Sequence, residues 1–208
     1  MNVLVLAAHP DDEAIGCGGQ IALHAQARDR VTVAFLTSGE FGLAPLPPQQ
    51  ARHIRESEAR AAARLLGICQ LDFLRLPDAY LSAHIEQAAN QLAPLLELHR
   101  PDRIYLPHPD DGHPDHRCAI DVLRAALARA TSTPPPQLLG YEIWTALAGY
   151  DQVVDITAVM VRKLRAIRQY RSQLSQIRYD RAVRGLNQYR GIVAAKSRFA
   201  EVFALLNR

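Results

Sequence analysis

Short apolar runs alternate with helix-like segments over residues 1–143 of this chain, and few folds accommodate that order. Predicted strands lie at residues 3–7, 31–36, 72–76, 103–106 and 138–143, each of the short, buried type. Predicted helices lie at residues 13–27, 49–66, 85–98 and 114–129. Strands that alternate with helices indicate an α/β fold, with a mostly parallel sheet between two layers of helices.

The order of the strands in this sheet decides which loops meet. Right-handed crossovers, with three strands winding one way and two the other, predict a Rossmann-like order of 3-2-1-4-5. Strands 1 and 4 are then neighbours at the reversal point, where ligands bind beyond the carboxyl ends of the strands. HPDD follows strand 1 at residues 9–12, and HPDDGHPDH follows strand 4 at residues 108–116. The two motifs are therefore expected at one site.

The length of the chain, 208 residues, suits one domain with a small C-terminal addition. We predict a single domain over residues 1–208, with a Rossmann-like core at 1–143 and an appendage at 144–208. Within the appendage we predict a short strand at 153–156, a long amphipathic helix at 157–173 and a terminal helix at 194–206. Residues 131–136 are predicted to form a loop.

Composition excludes several classes of protein. The formal net charge is only +3, and the basic residues between 162 and 190 are spaced like the solvated face of helices, so no nucleic-acid partner is indicated. No apolar run is long enough to span a bilayer, and residues 1–8 lack the basic start of a signal peptide. The three cysteines are scattered outside any CxxC motif, which favours reduced thiols in a cytoplasmic protein.

The two motifs contain the side chains that a hydrolytic zinc site requires. Such a site takes three ligands from His, Asp or Glu and leaves a fourth position open. His9 and Asp12 follow a strand at a spacing that lets both face one ion. His116 would add the third ligand from the first turn of the helix that begins at Pro114, because proline is well placed at a first helical position.

The remaining polar residues of the motifs fit proton transfer. Asp11 is a carboxylate beside the predicted metal and is the natural general base for the attacking water. His113 could stabilise an oxyanion or protonate a leaving group, and Asp115 could orient an imidazole. His-Pro and Asp-Pro pairs are also ordinary turn chemistry. Their paired placement after strands 1 and 4 favours metal-assisted hydrolysis of an amide or ester over two unrelated turns.

At these residues the chain resembles a known family. AHPDDE after strand 1 and HPDH about a hundred residues later are similar to the PIG-L or LmbE-like family of zinc-dependent N-acetylglucosaminyl deacetylases. RESEARAAARLLGI at 55–68 and LPD at 76–78 resemble the family's second block, and residues 154–173 and 200–203 its C-terminal segments.

The resemblance implies a Rossmann-like deacetylase acting on a small amino-sugar substrate, and it is compatible with a homo-oligomer. The implied zinc ligands are His9, Asp12 and His116; the implied proton-transfer residues are Asp11 and His113, with Asp115 assisting. It adds Arg55 and Asp78 as contacts to sugar hydroxyls. One Zn²⁺ ion is expected, although Fe²⁺, Co²⁺ or Mn²⁺ would suit the same ligands.

One position departs from the family pattern. Some members carry a tyrosine two residues before the first histidine of HPDH, where this chain has Asp111. A carboxylate there would repel an oxyanion, so Asp111 either binds a polar group of the substrate or leaves the oxyanion to His113. His108, Asp110 and Asp111 could also hold a second metal, but we favour a polar loop because three ligands already complete one open site.

Two other functions remain open. A related amidase could cleave a different amide, such as a thiol conjugate or an antibiotic intermediate, with the same residues. A non-catalytic nucleotide-binding module is the alternative from another class, because Gly16, Gly18 and Gly19 follow strand 1. These glycines lack the GxGxxG spacing, however, and we expect them to allow close packing of the helix beside the site.

Overall fold

The computed structural model describes residues 1–130 and 135–206, so most of the loop predicted at 131–136 lies outside the described residues. The strands are β1 (Asn2–Ala7), β2 (Arg30–Thr37), β3 (Gln70–Leu76), β4 (Arg103–Pro107), β5 (Gln137–Tyr141), β6 (Gln152–Asp155) and β7 (Ala200–Leu205). The helices are α1 (Asp12–Gln26), α2 (Pro48–Leu66), α3 (Ile85–His99), α4 (Pro114–Leu127), α5 (Met160–Ile167), α6 (Arg171–Leu174) and α7 (Tyr179–Arg190).

The strands form one mixed sheet in the order β3-β2-β1-β4-β5-β7-β6. The first five are parallel in the predicted order, and the α/β prediction is confirmed. The structure extends this order by two strands, since β7 pairs antiparallel with both β5 and β6. The C-terminal segment therefore continues the sheet of the core.

Strand β1 shows how the sheet is buried on both faces. Val3, Val5 and Ala7 face one hydrophobic cluster, which also contains residues of α1, α2 and α5. Leu4 and Leu6 face the opposite cluster, with residues of α3 and α4. Successive side chains of a strand point to opposite faces, so an uninterrupted apolar run is what such a central strand requires.

The glycines after β1 allow close packing, as expected. A Cβ atom on Gly16 would lie 2.1 Å from the ring of Tyr141, and one on Gly19 would lie 2.6 Å from the side chain of Ile156. Either contact is shorter than any real carbon–carbon approach. These glycines let α1 lie against the neighbouring elements, and this packing accounts for them without a nucleotide.

Two of the sequence predictions for the C-terminal segment differ from the structure. The terminal helix predicted at 194–206 is wrong, because Ala200–Leu205 form strand β7 and hydrogen-bond to both neighbouring strands. The long helix predicted at 157–173 is interrupted between α5 and α6. Tyr170, at the interruption, has non-helical backbone angles and is buried, with its hydroxyl bonded to Glu13.

Helix α3 runs through Pro94 as one element, although a proline inside a helix ordinarily kinks or interrupts it. Among the residues that the structure describes, no helix combines the length and the apolar character needed to cross a bilayer.

Candidate active site

The two motifs meet at one edge of the sheet. Strands β1 and β4 are parallel neighbours, with Val3 opposite Arg103 and Val5 opposite Tyr105. HPDD leaves the carboxyl end of β1, and the second motif leaves the carboxyl end of β4 and enters α4. The fold thus brings the predicted site residues together at the reversal point of the sheet.

The three predicted metal ligands converge on one point. The Nδ1 atom of His9 lies 3.2 Å from the Nε2 atom of His116. Asp12 Oδ1 lies 3.3 Å from His116 Nε2, and Asp12 Oδ2 lies 3.7 Å from His9 Nδ1. Ligands bonded at about 2.0–2.1 Å to one tetrahedral zinc ion lie about 3.4 Å from each other. These side chains are buried, and their separation and chemistry fit a single zinc ion.

The far nitrogens of both imidazoles contact carboxylates. His9 Nε2 lies 3.2 Å from Asp78 Oδ1 and 3.3 Å from Asp115 Oδ2. His116 Nδ1 donates to Asp111 Oδ1 at 2.8 Å. A carboxylate on the outer nitrogen fixes the orientation of a ligating imidazole and makes it a stronger ligand.

The structure places Asp115 and Asp111 against the imidazoles of the predicted ligands. Asp115 was expected to orient an imidazole and to assist His113; its carboxylate contacts the His9 imidazole and accepts the backbone N–H groups of Ala79 and Leu81. Asp111 was expected beside the oxyanion or on the substrate. Its oxygens instead accept bonds from the His116 ring and from three backbone N–H groups, and it is 1% exposed. Its acceptor positions are occupied by the His116 ring and by the backbone of the surrounding loops.

Asp11 lies next to the ligands at the wall of a cavity. Its backbone adopts a φ of 128°, a region that costs a non-glycine residue energy and that is often found at active sites. Burial raises the pKa of its carboxyl to about 7, against the lowering effect of the Arg55 charge. A carboxyl with a pKa near neutrality is suited to accept a proton during catalysis.

The backbone of Asp11 is held by a pair of residues that the sequence analysis missed. Glu13 accepts the N–H of Asp11 at 3.1 Å, and the Tyr170 hydroxyl donates to the other oxygen of Glu13. Burial raises the pKa of Glu13 to about 8, although the bond from Tyr170 opposes this. Glu13 belongs to the AHPDDE motif and could have been found there, whereas no local signal marks Tyr170.

Arg55 and Asp78 line the cavity, but many of their hydrogen-bonding groups are already bound to other residues of the protein. The Arg55 guanidinium donates to the backbone carbonyls of Pro10 at 2.5 Å and Gly39 at 3.2 Å, lies 3.4 Å from Asp11 Oδ1, and is part of a residue only 3% exposed. Asp78 contacts His9 and accepts the N–H of Phe41 at 2.8 Å. The structure places both at the cavity wall as supports of the loops around it.

His113 faces the cavity from the start of α4. Its ring centroid lies 4.7 Å from those of His9 and His116, and its Nδ1 atom accepts the N–H of Asp115 at 3.2 Å. Burial, followed by the charges of the other two imidazoles, lowers its pKa, so the ring is neutral near pH 7. A neutral imidazole that accepts at Nδ1 carries its proton on Nε2 and can donate from there.

His108 does not belong to this cluster. Its Nε2 atom donates to the backbone carbonyl of Thr145 at 2.8 Å, and it is 2% exposed. Two further groups of described residues with metal-ligand chemistry also include His9, one with His113 and His116 and the other with Asp78 and Asp115, and neither contains His108. The geometry therefore favours a polar loop over a second metal at His108, as preferred from the sequence.

The charges of Asp12 and His116 shift each other's pKa. Burial would raise the pKa of Asp12, but the charge and hydrogen bond of His116 hold it well below its usual range. Burial would lower the pKa of His116, but Asp12 and Asp111 raise it to about 9. The carboxylates around His116 thus favour its protonated form, and a divalent cation bound there would replace that proton.

A cavity of about 280 Å³ opens beside these residues. Its lining includes the buried His9, Asp11 and Asp12 together with His113, and the exposed Phe41, Trp144 and Ile177 together with Tyr179. Polar, reactive side chains and large apolar side chains therefore face the same space.

Comparisons with known proteins agree with this geometry. A family model described as PIG-L, GlcNAc-PI de-N-acetylase, matches residues 4–127. A Bacillus cereus protein named as a probable N-acetyl-alpha-D-glucosaminyl L-malate deacetylase 2 is 30% identical over 190 residues, covering 86% of each chain. Among solved structures, protein TT1542 of Thermus thermophilus superposes with a TM-score of 0.85 at 29% identity, covering 99% of this chain and 94% of that one. The N,N'-diacetylchitobiose deacetylase of Pyrococcus horikoshii gives a TM-score of 0.86 at 25% identity, covering 98% and 83%.

Proposed function

The chain belongs to the PIG-L de-N-acetylase family, and from this we propose that it is a zinc-dependent N-deacetylase. It would hydrolyse the acetamide of an N-acetylglucosamine-type sugar, free or conjugated, and release acetate and a free amine. The observation that carries the proposal is the convergence of His9, Asp12 and His116 within 3.7 Å, beside Asp11 and a cavity.

His9, Asp12 and His116 would hold the ion through Nδ1, a carboxylate oxygen and Nε2, respectively. A zinc ion bound there would polarise an amide carbonyl and make water a better nucleophile. Asp111 and Asp115 contact the outer nitrogens of the two imidazoles, so they would fix the rings in the ligating orientation.

Asp11 would accept the proton of the attacking water. Its carboxylate lines the cavity and is not among the converging ligand atoms, so it is free for this task. The charge of Arg55 at 3.4 Å favours the ionised form that a base requires. Glu13 holds the backbone of Asp11 and thereby positions the base.

His113 would donate its Nε2 proton to the carbonyl oxygen or to the departing nitrogen. It lines the same cavity as Asp11, and its neutral ring keeps a proton available at Nε2. A base and a proton donor that line one cavity can supply the two proton transfers that amide hydrolysis needs.

The proposal includes a cytoplasmic location, which is supported by the three free cysteines. Its test is amine release from N-acetylglucosamine and from N,N'-diacetylchitobiose by the chelated protein before and after zinc is returned. Zinc-dependent release supports the assignment. A protein that binds zinc but cleaves neither sugar would instead favour a different amide as its substrate.

A further inference from the structure

The mouth of the catalytic cavity carries exposed aromatic rings on two sides. Phe41 is 51% exposed and packs edge-to-face on Tyr80, with ring centroids 6.1 Å apart. Trp144 is 54% exposed and packs edge-to-face on Tyr179, also at 6.1 Å. Aromatic surface left open beside a cavity is available for a ligand, and ring faces bind other rings by stacking.

Both rings are anchored to the reactive centre through their own backbone. Phe41 donates its N–H to Asp78 at 2.8 Å, and Trp144 donates its N–H to Asp111 at 2.9 Å. The same two carboxylates contact the imidazoles of the proposed metal ligands. The backbone that carries each ring is therefore fixed relative to the proposed metal ligands, and such preorganisation lowers the entropic cost of binding.

The charges along the cavity do not suit an anionic ligand. Arg55 is the only permanently positive side chain among the described residues that line it, and this guanidinium is buried against Pro10, Gly39 and Asp11. The acids Asp11, Asp12 and Asp78 line the same space. A carboxylate or phosphate on the substrate would find no exposed lysine or arginine among the described side chains of the lining, since Arg55 is already paired with Asp11.

The uncharged polar side chains of the lining suit hydroxyl groups. Gln173 and Gln176 face the cavity, and Gln176 bridges two of its walls by donating to the carbonyl of Gly42 at 2.7 Å. An amide side chain offers both donor and acceptor atoms, as recognition of a sugar hydroxyl requires.

We infer that the preferred substrate is a conjugated N-acetylamino sugar whose aglycone is uncharged and presents a ring face, which stacks on Trp144. This inference rests on the proposed function. The inference distinguishes this chain from an enzyme that acts on a dicarboxylate conjugate. The Bacillus cereus relative is named for such a substrate. A second sugar and an aryl group share the required ring face, and the test distinguishes them.

The first test compares kcat/KM of the zinc-loaded enzyme for four substrates. These are N-acetylglucosamine, N,N'-diacetylchitobiose, phenyl N-acetylglucosaminide and N-acetylglucosaminyl L-malate. We expect kcat/KM for at least one neutral conjugate to exceed that for the free sugar and that for the malate conjugate by about tenfold.

In Trp144→Ala we expect the kcat/KM of the neutral conjugate, divided by that of the free sugar, to fall towards one. Tyr189→Ala, which removes an aromatic ring 56% exposed but outside the cavity lining, keeps the ratio of the native enzyme. An unchanged ratio in Trp144→Ala, or a preference for the malate conjugate, overturns the inference.

The second test does not require turnover. Trp144 is the only tryptophan of the chain, so its fluorescence reports on this surface alone. Zinc-loaded Asp11→Asn protein is titrated with each conjugate. We expect the phenyl conjugate or N,N'-diacetylchitobiose to change the emission. The malate conjugate should bind about tenfold more weakly or leave the emission unchanged. Emission that responds to no neutral conjugate overturns the inference, even if the enzyme is active. If no sugar is cleaved but the emission responds, the proposed function fails and the binding surface stands.

Discussion

His9 Nδ1 and His116 Nε2 lie 3.2 Å apart although the two residues are 107 positions apart in the chain. Each histidine follows a strand, and the two strands are parallel neighbours. The pairing of β1 with β4 therefore creates the contact, and neither motif could form the site alone.

Replacing His116 with alanine should remove metal and activity together. His116 is fully buried, and its ring contributes one of three converging ligand atoms, so two ligands would remain. Zinc content is measured by elemental analysis after gel filtration, and amine release is measured in parallel. His53→Ala, at an exposed position of α2, is the matched control and should keep both. A His116→Ala protein with a full equivalent of tightly bound zinc would remove His116 from the ligand set.

Replacing Asp11 with asparagine should preserve metal and abolish turnover. The three ligand side chains are untouched, but asparagine cannot accept a proton, and loss of a general base costs about 10²–10⁴-fold in rate. Zinc content and kcat are compared with those of Asp121→Asn, a change at an exposed position of α4. A rate within a few fold of the native enzyme would show that another group is the base.

Removing the Tyr170 hydroxyl should affect catalysis from a distance. In Tyr170→Phe the buried Glu13 loses its donor, and an unsatisfied buried group costs about 1–3 kcal/mol. We expect a lower free energy of unfolding and a lower kcat with little change in KM, because Glu13 holds the backbone of Asp11. Denaturant unfolding and steady-state kinetics measure the two effects. Tyr189→Phe, on an exposed ring, should change neither, and a native kcat in Tyr170→Phe would separate this bond from catalysis.

Zinc binding should release protons from the metal-free protein. Burial opposes protonation of His116, but Asp12 and Asp111 raise its pKa to about 9; hydrogen bonds to carboxylates likewise raise the pKa of His9 well above its ordinary value. At least one of the two rings therefore carries an extra proton near pH 7, and a metal ligand must lose its proton. The apparent affinity for zinc should rise with pH until it passes the pKa of His116. Calorimetry in buffers of different ionisation enthalpy should give about one or more protons released per ion; zero released protons would contradict this ionisation state.

Much of the core could be predicted from the sequence because its signals are local. The apolar run of β1 and the helical spacing of α2 and α4 each specify one element, and general rules of handedness then fix the order of the first five strands. The convergence of His9, Asp12 and His116 follows from that order. These predictions needed no information about distant side chains.

The remainder depends on contacts that no local pattern encodes. Ala200–Leu205 are apolar enough for a helix or a strand, and pairing with β5 and β6 decides between them. Tyr170 interrupts a helical pattern to reach Glu13, which is 157 residues away. Two backbone N–H groups, from residues 144 and 145, donate to the carboxylate of Asp111 and hold it beside His116. Long-range partners therefore set both the C-terminal fold and the supporting residues of the site.

The most direct test of the proposed reaction is a zinc titration of the chelated protein with N-acetylglucosamine or N,N'-diacetylchitobiose as substrate. Acetate release should start near zero, rise in proportion to added zinc and level off at one equivalent per chain, because one set of three ligands is formed. The His116→Ala protein should show no such rise. Full activity before zinc is added, or a rise that continues to two equivalents, would contradict a single catalytic zinc site at His9, Asp12 and His116.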